Sequence, residues 1–569
     1  MSALFSLLPD NISTNKLPEP MRDSYIDITM LEEYARELAR RQQVATGMRS
    51  SRSLLRSLET DYRALNASQR MIVGWVRCSV PLTRSVEWLL DNAHIINAQV
   101  REIRRNLPSS YYNELPKLAE QPFRSFPRVY GMAVEVISHS NSKLDEERIA
   151  TFVRGYQTDT TLTSGELWAL PIMLQIALVQ NLQRLTRQIV DAQQRRAVAD
   201  KWVDKVFALA RKNPRKLELI LKQQDNLPET LDAVLAVQLL QRFFDQGAAT
   251  TPLLHWLEVR LARQGMTFDD VTHSTHADEA ANLESVGNCI TSLRFVAGYD
   301  WAVFFESVSR LEAVLHTDPE GIYPLMDFPT RDSYRHVIER VARDTEHTEE
   351  EVAHFCIELA SIAHASAELP VKRRHIGYYL LDNGRDMLYE RACGRRCKLL
   401  RRIGRAVLPH CQPLYPLTII AVTALLVGIM LHLTPSLSGF IWWLMLLLLI
   451  IPASDLAMHI IGWIVMKLFP PKLLPKLELK EGLTPEFRTV AVIHTMLSKN
   501  QRTQQLVEQM EVYFLANQED CLHFAILCDF PDAQQQIMPD EDKLLTYAQD
   551  AIQALNDKYP AKETIFYLF

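Results

Sequence analysis

From Thr29 onward, apolar side chains recur every three or four positions, the spacing that lines one face of an α-helix. Leu31, Tyr34, Ala35 and Leu38 share a face of a first helix, and further helices are predicted over 52–76 and 83–107. In the latter, Val86, Leu89, Leu90, Ala93, Ile96, Val100 and Ile103 form one stripe, and Pro108 ends it. Another helix is predicted over 144–156, after the polar Ser140-Asn141-Ser142. Thr163-Ser164-Gly165-Glu166 has the form of a capping box, where hydroxyl and carboxylate satisfy amides at a helix start. The helix it opens, 167–189, carries the run LWALPIMLQIALV. Pro171 and Gln175 interrupt that run and it is short for a bilayer, so it is expected to be a buried centre. Breaks are expected at 226–228, 246–251 and 273–278, and Thr348 begins a second capping pattern for a helix through His364.

Two apolar runs follow. The first, 416–433, is uncharged, and at about 1.5 Å per residue it just spans a hydrocarbon core about 30 Å thick. After the polar stretch 434–439, the second opens with Phe440, Trp442 and Trp443, aromatics suited to a membrane–water interface. It continues for roughly thirty residues, about 45 Å of helix, which is too long for a straight span. Pro452 interrupts it, and Asp455 and His459 sit one turn apart just beyond. The pattern predicts a helical hairpin whose second arm bends near Pro452 and runs on along the interface. Asp455 and His459 read either as a paired turn near the headgroups or as part of a proton path.

Charge sets the orientation of that hairpin. Arg391, Arg395, Arg396, Lys398, Arg401, Arg402 and Arg405 precede it, and Lys467, Lys472 and Lys476 flank its end. The connecting loop has no basic residue, so both ends are expected in the cytoplasm. A solvated helix face and nucleic-acid binding are rival readings of the arginines. Adjacency to a span favours topology and contact with anionic lipid, and no nucleic-acid partner is expected.

Beyond the prolines 470, 471 and 475 the period changes. Strand patterns at 489–493, 523–528 and 564–569 alternate with helical ones at 503–515 and 542–559, the opening of a doubly wound sheet. Ligands of such sheets sit beyond the carboxyl ends of strands. Those positions are His494 and Thr495 after the first strand, and Asp529 with Asp532 after the second. A three-strand sheet with an open edge at Phe569 is expected to be an incomplete one.

Composition adds bounds rather than chemistry. The 569 residues call for several domains, 47% hydrophobic residues suffice for cores, and a net charge of −6 says little about partners. Residues 1–20 have neither a basic start nor an apolar run, so no secretory signal is read there. The eight cysteines (78, 289, 356, 393, 397, 411, 521 and 528) lack C-x-x-C pairs and are expected to be reduced thiols.

Several long stretches carry a resemblance. They include EWLLDNAHIINAQVREIRRNLPSSYYNELPKLA (87–119), SGELWALPIMLQIALVQNLQRL (164–185), SVGNCITSLR (285–294) and DPEGIYPLMDFPTRDSYR (318–335). HIGYYLLDNG (375–384), IPASDLAMHIIGWIV (451–465) and VEQMEVYFLANQEDCLHFAILCDFPDA (507–533) continue it. Over nearly the whole chain after about residue 25, the sequence resembles the N-terminal portion of cyclic β-1,2-glucan synthases. These are large bacterial inner-membrane enzymes built around a processive glucosyltransferase. The resemblance implies transfer of glucose from UDP-glucose, with a divalent metal (Mg or Mn) in the complete enzyme, onto a growing β-glucan. It implies that Thr495 and Asp529 match the loops that cradle the donor's uridine. Asp529 has a second reading as a turn-former before Phe530-Pro531, and Asp532 reads as a cap or turn. The family's usual Pro-Thr is His494-Thr495 here.

What such a synthase uses for chemistry is not found in these residues. It needs a D-x-D metal site at a strand end, a carboxylate base and a Q-x-x-R-W stretch. Asp540-Glu541-Asp542 spells D-x-D but is predicted to open a helix, and no Q-x-x-R-W occurs. The family's C-terminal phosphorylase-like region is also absent. No catalytic or metal-binding residue is therefore assigned, and neither donor nor metal is expected to bind firmly to this chain alone. Tyr323, Asp327, Arg331, Asp332 and Arg335 form a polar-aromatic group that reads as a capped helix start or as a contact for glucan or another domain.

The expectation is a mainly α chain in three parts. A cytoplasmic helical domain covers 1–408, a transmembrane hairpin 409–470, and the first half of a Rossmann-like glycosyltransferase domain 471–569. Its partners would be membrane lipid, UDP-glucose and the β-glucan chain in the complete enzyme, with a separately encoded C-terminal part as a further candidate. Its place would be the bacterial inner membrane. The rival is a membrane-anchored helical scaffold or regulator that binds no nucleotide.

Overall fold

A computed structural model describes residues 24–45, 54–78, 80, 82–212, 230–245, 251–366, 369–393, 414–433, 439–468, 474–479, 482–532, 538, 540–560 and 564–569. The chain is mainly α and separates into two units. One comprises Met1–Pro319 with Arg335–Cys397, the other Glu320–Tyr334 with Lys398–Phe569.

In the first unit, helix α1 (Arg128–Ser138) packs against a long helix α2 (Ser164–Lys212), as does α3 (Phe268–Gly298). Over its first five turns α2 is buried or half-buried on every side. Leu170, Met173, Leu174, Ile176, Ala177, Leu178, Val179 and Leu182 are all buried, as expected of a central helix. It runs well past the predicted end near residue 189. Ala199, Val203 and Val206 keep the helical spacing there and enter a second core with Leu235, Leu239, Phe243 and Leu257.

The predicted capping box closes in both directions. Glu166 N–H donates to Thr163 Oγ1 at 3.2 Å, and Thr163 N–H donates to Glu166 Oε2 at 3.0 Å. The same carboxylate takes a bidentate grip from buried Arg128, Nε at 2.8 Å and Nη2 at 2.5 Å. One residue along, Ser164 gives its N–H (2.9 Å) and hydroxyl (2.6 Å) to Glu349 at the head of α5 (Glu349–Ala365). That helix has its own predicted cap, Thr348 with Glu351. Between α3 and α5, helix α4 (Phe328–Thr345) carries the chain from the second unit back into the first.

Two expectations need correction. The predicted helix 83–107 is two, Arg84–Asp91 and Ala93–Asn106. Asn92 breaks it by turning its side-chain amide onto Trp88 O at 2.8 Å, a local bond that competes with the helical ladder. The break expected at 273–278 is absent, because α3 passes straight through it. No Gly or Pro lies there, Thr275 Oγ1 bonds back to Val271 O at 2.8 Å, and burial of Val271 and Thr275 outweighs weak local propensity. The sites 226–228 and 246–250 lie outside the described residues.

In the second unit, α6 (Leu414–Leu433) and α7 (Phe440–Leu468) pack along each other, and both are long and apolar enough to cross a membrane. Pro452 does not end α7, which is one helix of 29 residues. The arginines 395–405, Lys472 and the loop 434–438 lie outside the described residues. Three parallel strands follow, β1 (Thr489–Met496), β2 (Leu522–Asp529) and β3 (Phe566–Leu568), in the order β1-β2-β3. Helices α8 (Asn500–Ala516) and α9 (Glu541–Lys558) connect them.

Two outcomes are expected of the first unit. Glu166→Ala leaves the Arg128 guanidinium buried without its partner and opens the cap, so urea unfolding of the intact chain should show a loss of about 3–5 kcal/mol. Burial raises the Glu349 carboxyl above its usual 4.5. The folded state therefore holds that proton more tightly than the unfolded chain, and this contribution is lost as pH rises from about 4.5 through the folded value. Glu349→Gln should remove that decline, so unfolding midpoints of variant and native chain should diverge as pH rises through the window.

Candidate functional site

The carboxyl edge of the parallel sheet is where a strand–helix–strand unit exposes backbone to a ligand. Its register is continuous from Thr489 opposite Leu522 to Met496 opposite Asp529. Strand β1 extends beyond its predicted end, so His494 and Thr495 lie inside it rather than in the loop after it. Thr495 pairs with Cys528, while Asp529 is the last residue of β2.

That one-residue offset matters, because successive side chains alternate between faces. Ala491, Ile493 and Cys528 pack on the core made by Leu506, Val507, Met510, Phe524, Ile526, Ile552, Leu555 and Phe566. Thr495 shares their parity and so belongs to the helix-covered face. Asp529 shares parity with His494 and Met496 on the opposite face. The sheet thus brings the Thr495 and Asp529 backbones to one edge but not their side chains to one surface. Asp529 is exposed, and its Oδ1 accepts the N–H of Phe530 at 2.8 Å, the bond of a turn-forming aspartate. Asp532 is exposed beyond it.

Sequence reading passed over the loop after β1. Leu497 is buried and its N–H bonds Asp529 O at 2.8 Å, which fixes the exit of the strand. Lys499 then stands at the N-cap of α8 without a side-chain cap bond, and Arg502 lies in the first turn. Amides at a helix start favour an anion, and here they lie beside two cations at the carboxyl end of a strand. The visible signal was a Lys and an Arg within six residues of a strand end.

The other expected features resolve plainly. Asp540 sits at the N-cap of α9 and accepts from Lys543 Nζ at 3.0 Å, and Glu541 accepts the Met538 N–H at 3.1 Å. They form a helix start, as predicted, and no metal-holding group of three His, Cys, Asp or Glu occurs among the described residues. Asp327 is the cap of α4, accepting the Thr330 N–H at 3.1 Å. Tyr323 is buried against Tyr334, and Arg335 is buried on Glu312 at 2.8 Å, so neither offers a surface to glucan.

This segment also pairs with residues 474–479, which follow the two apolar helices in sequence. Asp327 N–H donates to Lys476 O at 3.0 Å, Glu478 N–H to Leu325 O at 2.7 Å, and Lys476 N–H to Thr330 Oγ1 at 3.1 Å. In the first unit, a polar groove of about 380 Å³ is lined by Arg184, Gln188, Asp191, Arg196, Asp278 and Asn282. Arg196 is already paired there with Glu279.

No family model matches the chain. It is, however, 30% identical over 491 residues to the cyclic beta-(1,2)-glucan synthase NdvB of Rhizobium meliloti (strain 1021). This chain is NdvB-like. The match takes in 85% of the chain and 17% of that relative's length. The long stretches singled out from the sequence are largely scaffold. Within them lie Glu166, the asparagine and serines that hold the loop 140–142 (Asn181, Ser285 and Ser292), and His375, which meets buried Asp318 at 2.8 Å.

Stability should separate scaffold from site at the sheet. Phe566→Ala removes a ring packed on Phe514 and Phe524 and should cost about 3–5 kcal/mol. Asp529→Ala, at an exposed strand end, should stay within about 0.5 kcal/mol by the same denaturation measurement.

Proposed function

We propose that this chain is the N-terminal, membrane-anchored part of a bacterial cyclic β-1,2-glucan synthase, supplying one wall of the UDP-glucose site at the cytoplasmic face of the inner membrane. The observation that carries it is a parallel strand–helix–strand unit set directly after two membrane-length helices, in a chain 30% identical to a cyclic β-(1,2)-glucan synthase. Within the site, the amides at the start of α8 with Lys499 and Arg502 suit the diphosphate. The carboxylate of Asp529 suits a uracil or ribose donor. Transfer itself needs a metal site, a base and an acceptor groove supplied by further polypeptide, in the same protein or encoded separately.

Handedness supports that incompleteness. Right-handed crossovers that add strands in one direction place their helices on one side of a sheet. Here α8 and α9 share one core, and the other face keeps Val490, Val492, Met496, Leu527 and Phe569 exposed, at 46, 51, 58, 43 and 63%. Parallel sheets are covered on both faces, so more polypeptide is expected over these residues.

The test is calorimetric binding of UDP to the chain in detergent or nanodiscs. Weak binding is expected, reduced several-fold by Lys499→Ala and by Asp529→Ala with the fold intact by circular dichroism. Absence of binding, at UDP concentrations that saturate a complete synthase, would favour the scaffold reading, which the Asp529–Phe530 bond already supports. A separate check is protease digestion of spheroplasts and inverted vesicles. Residues 474–569 should be cut only in inverted vesicles, and cleavage in spheroplasts would remove the site from its donor.

A further inference from the structure

The second apolar helix has two faces of different character. Ala453 and Ala457 are buried, at 5 and 0% exposure, and form the seam with α6. At about 100° per residue, Asp455, His459 and Gly462 all lie within about 40° of the direction opposite that seam. Asp455 and His459 are 67 and 76% exposed, with His459 Nδ1 at 3.7 Å from Asp455 Oδ1. A Cβ placed on Gly462 would meet nothing within 4 Å. Leu448, Ile451 and Met466, exposed large apolar residues, complete this outward face.

Asp455 stands fifteen residues from Phe440 and thirteen from Leu468, so it lies about 20 Å from either end of α7. An ionisable pair at that depth, ringed by apolar side chains and turned away from its own hairpin, faces hydrocarbon unless another helix covers it. We propose that the cover is α7 of a second copy of this chain, packed across a two-fold axis along the membrane normal. This rests on the membrane reading of the hairpin given above.

The charges choose the occupant. The face already carries one acid and one base a single turn apart, so a partner helix bearing one sign would leave an excess charge in the bilayer. A two-fold copy brings an acid and a base of its own, so the partner's His459 lies one turn along from Asp455 and the four groups together carry no excess charge. The reach needed is the one-turn offset that the pair already spans within α7. Gly462, one turn further along the same face, lets the two backbones come close.

The test uses the full chain in lipid vesicles, with a benzoylphenylalanine photo-cross-linker at Leu448 on the outward face or at Leu446 on the seam side. Flotation with the vesicles is measured first, since a chain that does not float loses the membrane reading and this proposal with it. For a floating chain, irradiation should give an adduct at twice the chain mass from position 448 and not from 446. Gly462→Leu should abolish it, and Asp455→Leu combined with His459→Leu should lower it several-fold, both without loss of flotation. A floating chain that gives no dimer adduct from 448 overturns the proposal. So do adducts from both positions that ignore these substitutions, since those report random collision.

Discussion

The helical unit depends on one buried charge pair at the start of its central helix. Glu166 is fully buried, and a carboxylate there is tolerable only because a guanidinium and two donors from Thr163 surround it. Arg128 comes from a helix earlier in the chain and Glu349, which grips the next residue, from one far later. Three helices are thus located by a single helix start. Apolar burial supplies the bulk of the stability, but it has no direction. The charge pair and the cap define which turn of α2 meets which neighbour.

A second constraint, the handedness of strand crossovers, shapes the other unit. Because β1, β2 and β3 add in one direction, α8 and α9 must share a face, and the opposite face retains a row of exposed apolar side chains. A doubly wound sheet needs a reversal of direction to cover that side, and none occurs within these three strands. The same geometry explains why Thr495 and Asp529 do not meet as side chains. Besides the two residues singled out by pattern, this edge carries the amides at the start of α8 and the cations Lys499 and Arg502.

The segment 320–334 links these observations to the resemblance. Its polar and aromatic residues look like ligand contacts in a linear sequence, yet they are consumed in structure. Tyr323 is packed on Tyr334, Asp327 caps α4, and the backbone from Leu325 to Asp327 pairs with residues 476–478, which follow the two long apolar helices in sequence. Long stretches that carry a resemblance therefore do not have to mark chemistry. In this part of the chain they mark the bonds that hold a scaffold in one arrangement.

By itself the sequence determined what is local. The capping boxes at Thr163 and Thr348, the two membrane-length helices and the alternation of strands with helices after residue 488 all rest on contacts within a few residues, where period and side-chain chemistry are decisive. Only the tertiary structure decided what is distant. It joined Arg128 to Glu166 across 38 positions and Ser164 to Glu349 across 185, and kept α3 whole through a polar stretch. It also set which face of the sheet Asp529 takes and which side of α7 carries Asp455. Those outcomes follow from register, handedness and burial, which are properties of elements packed together and are not written in any single window of the chain.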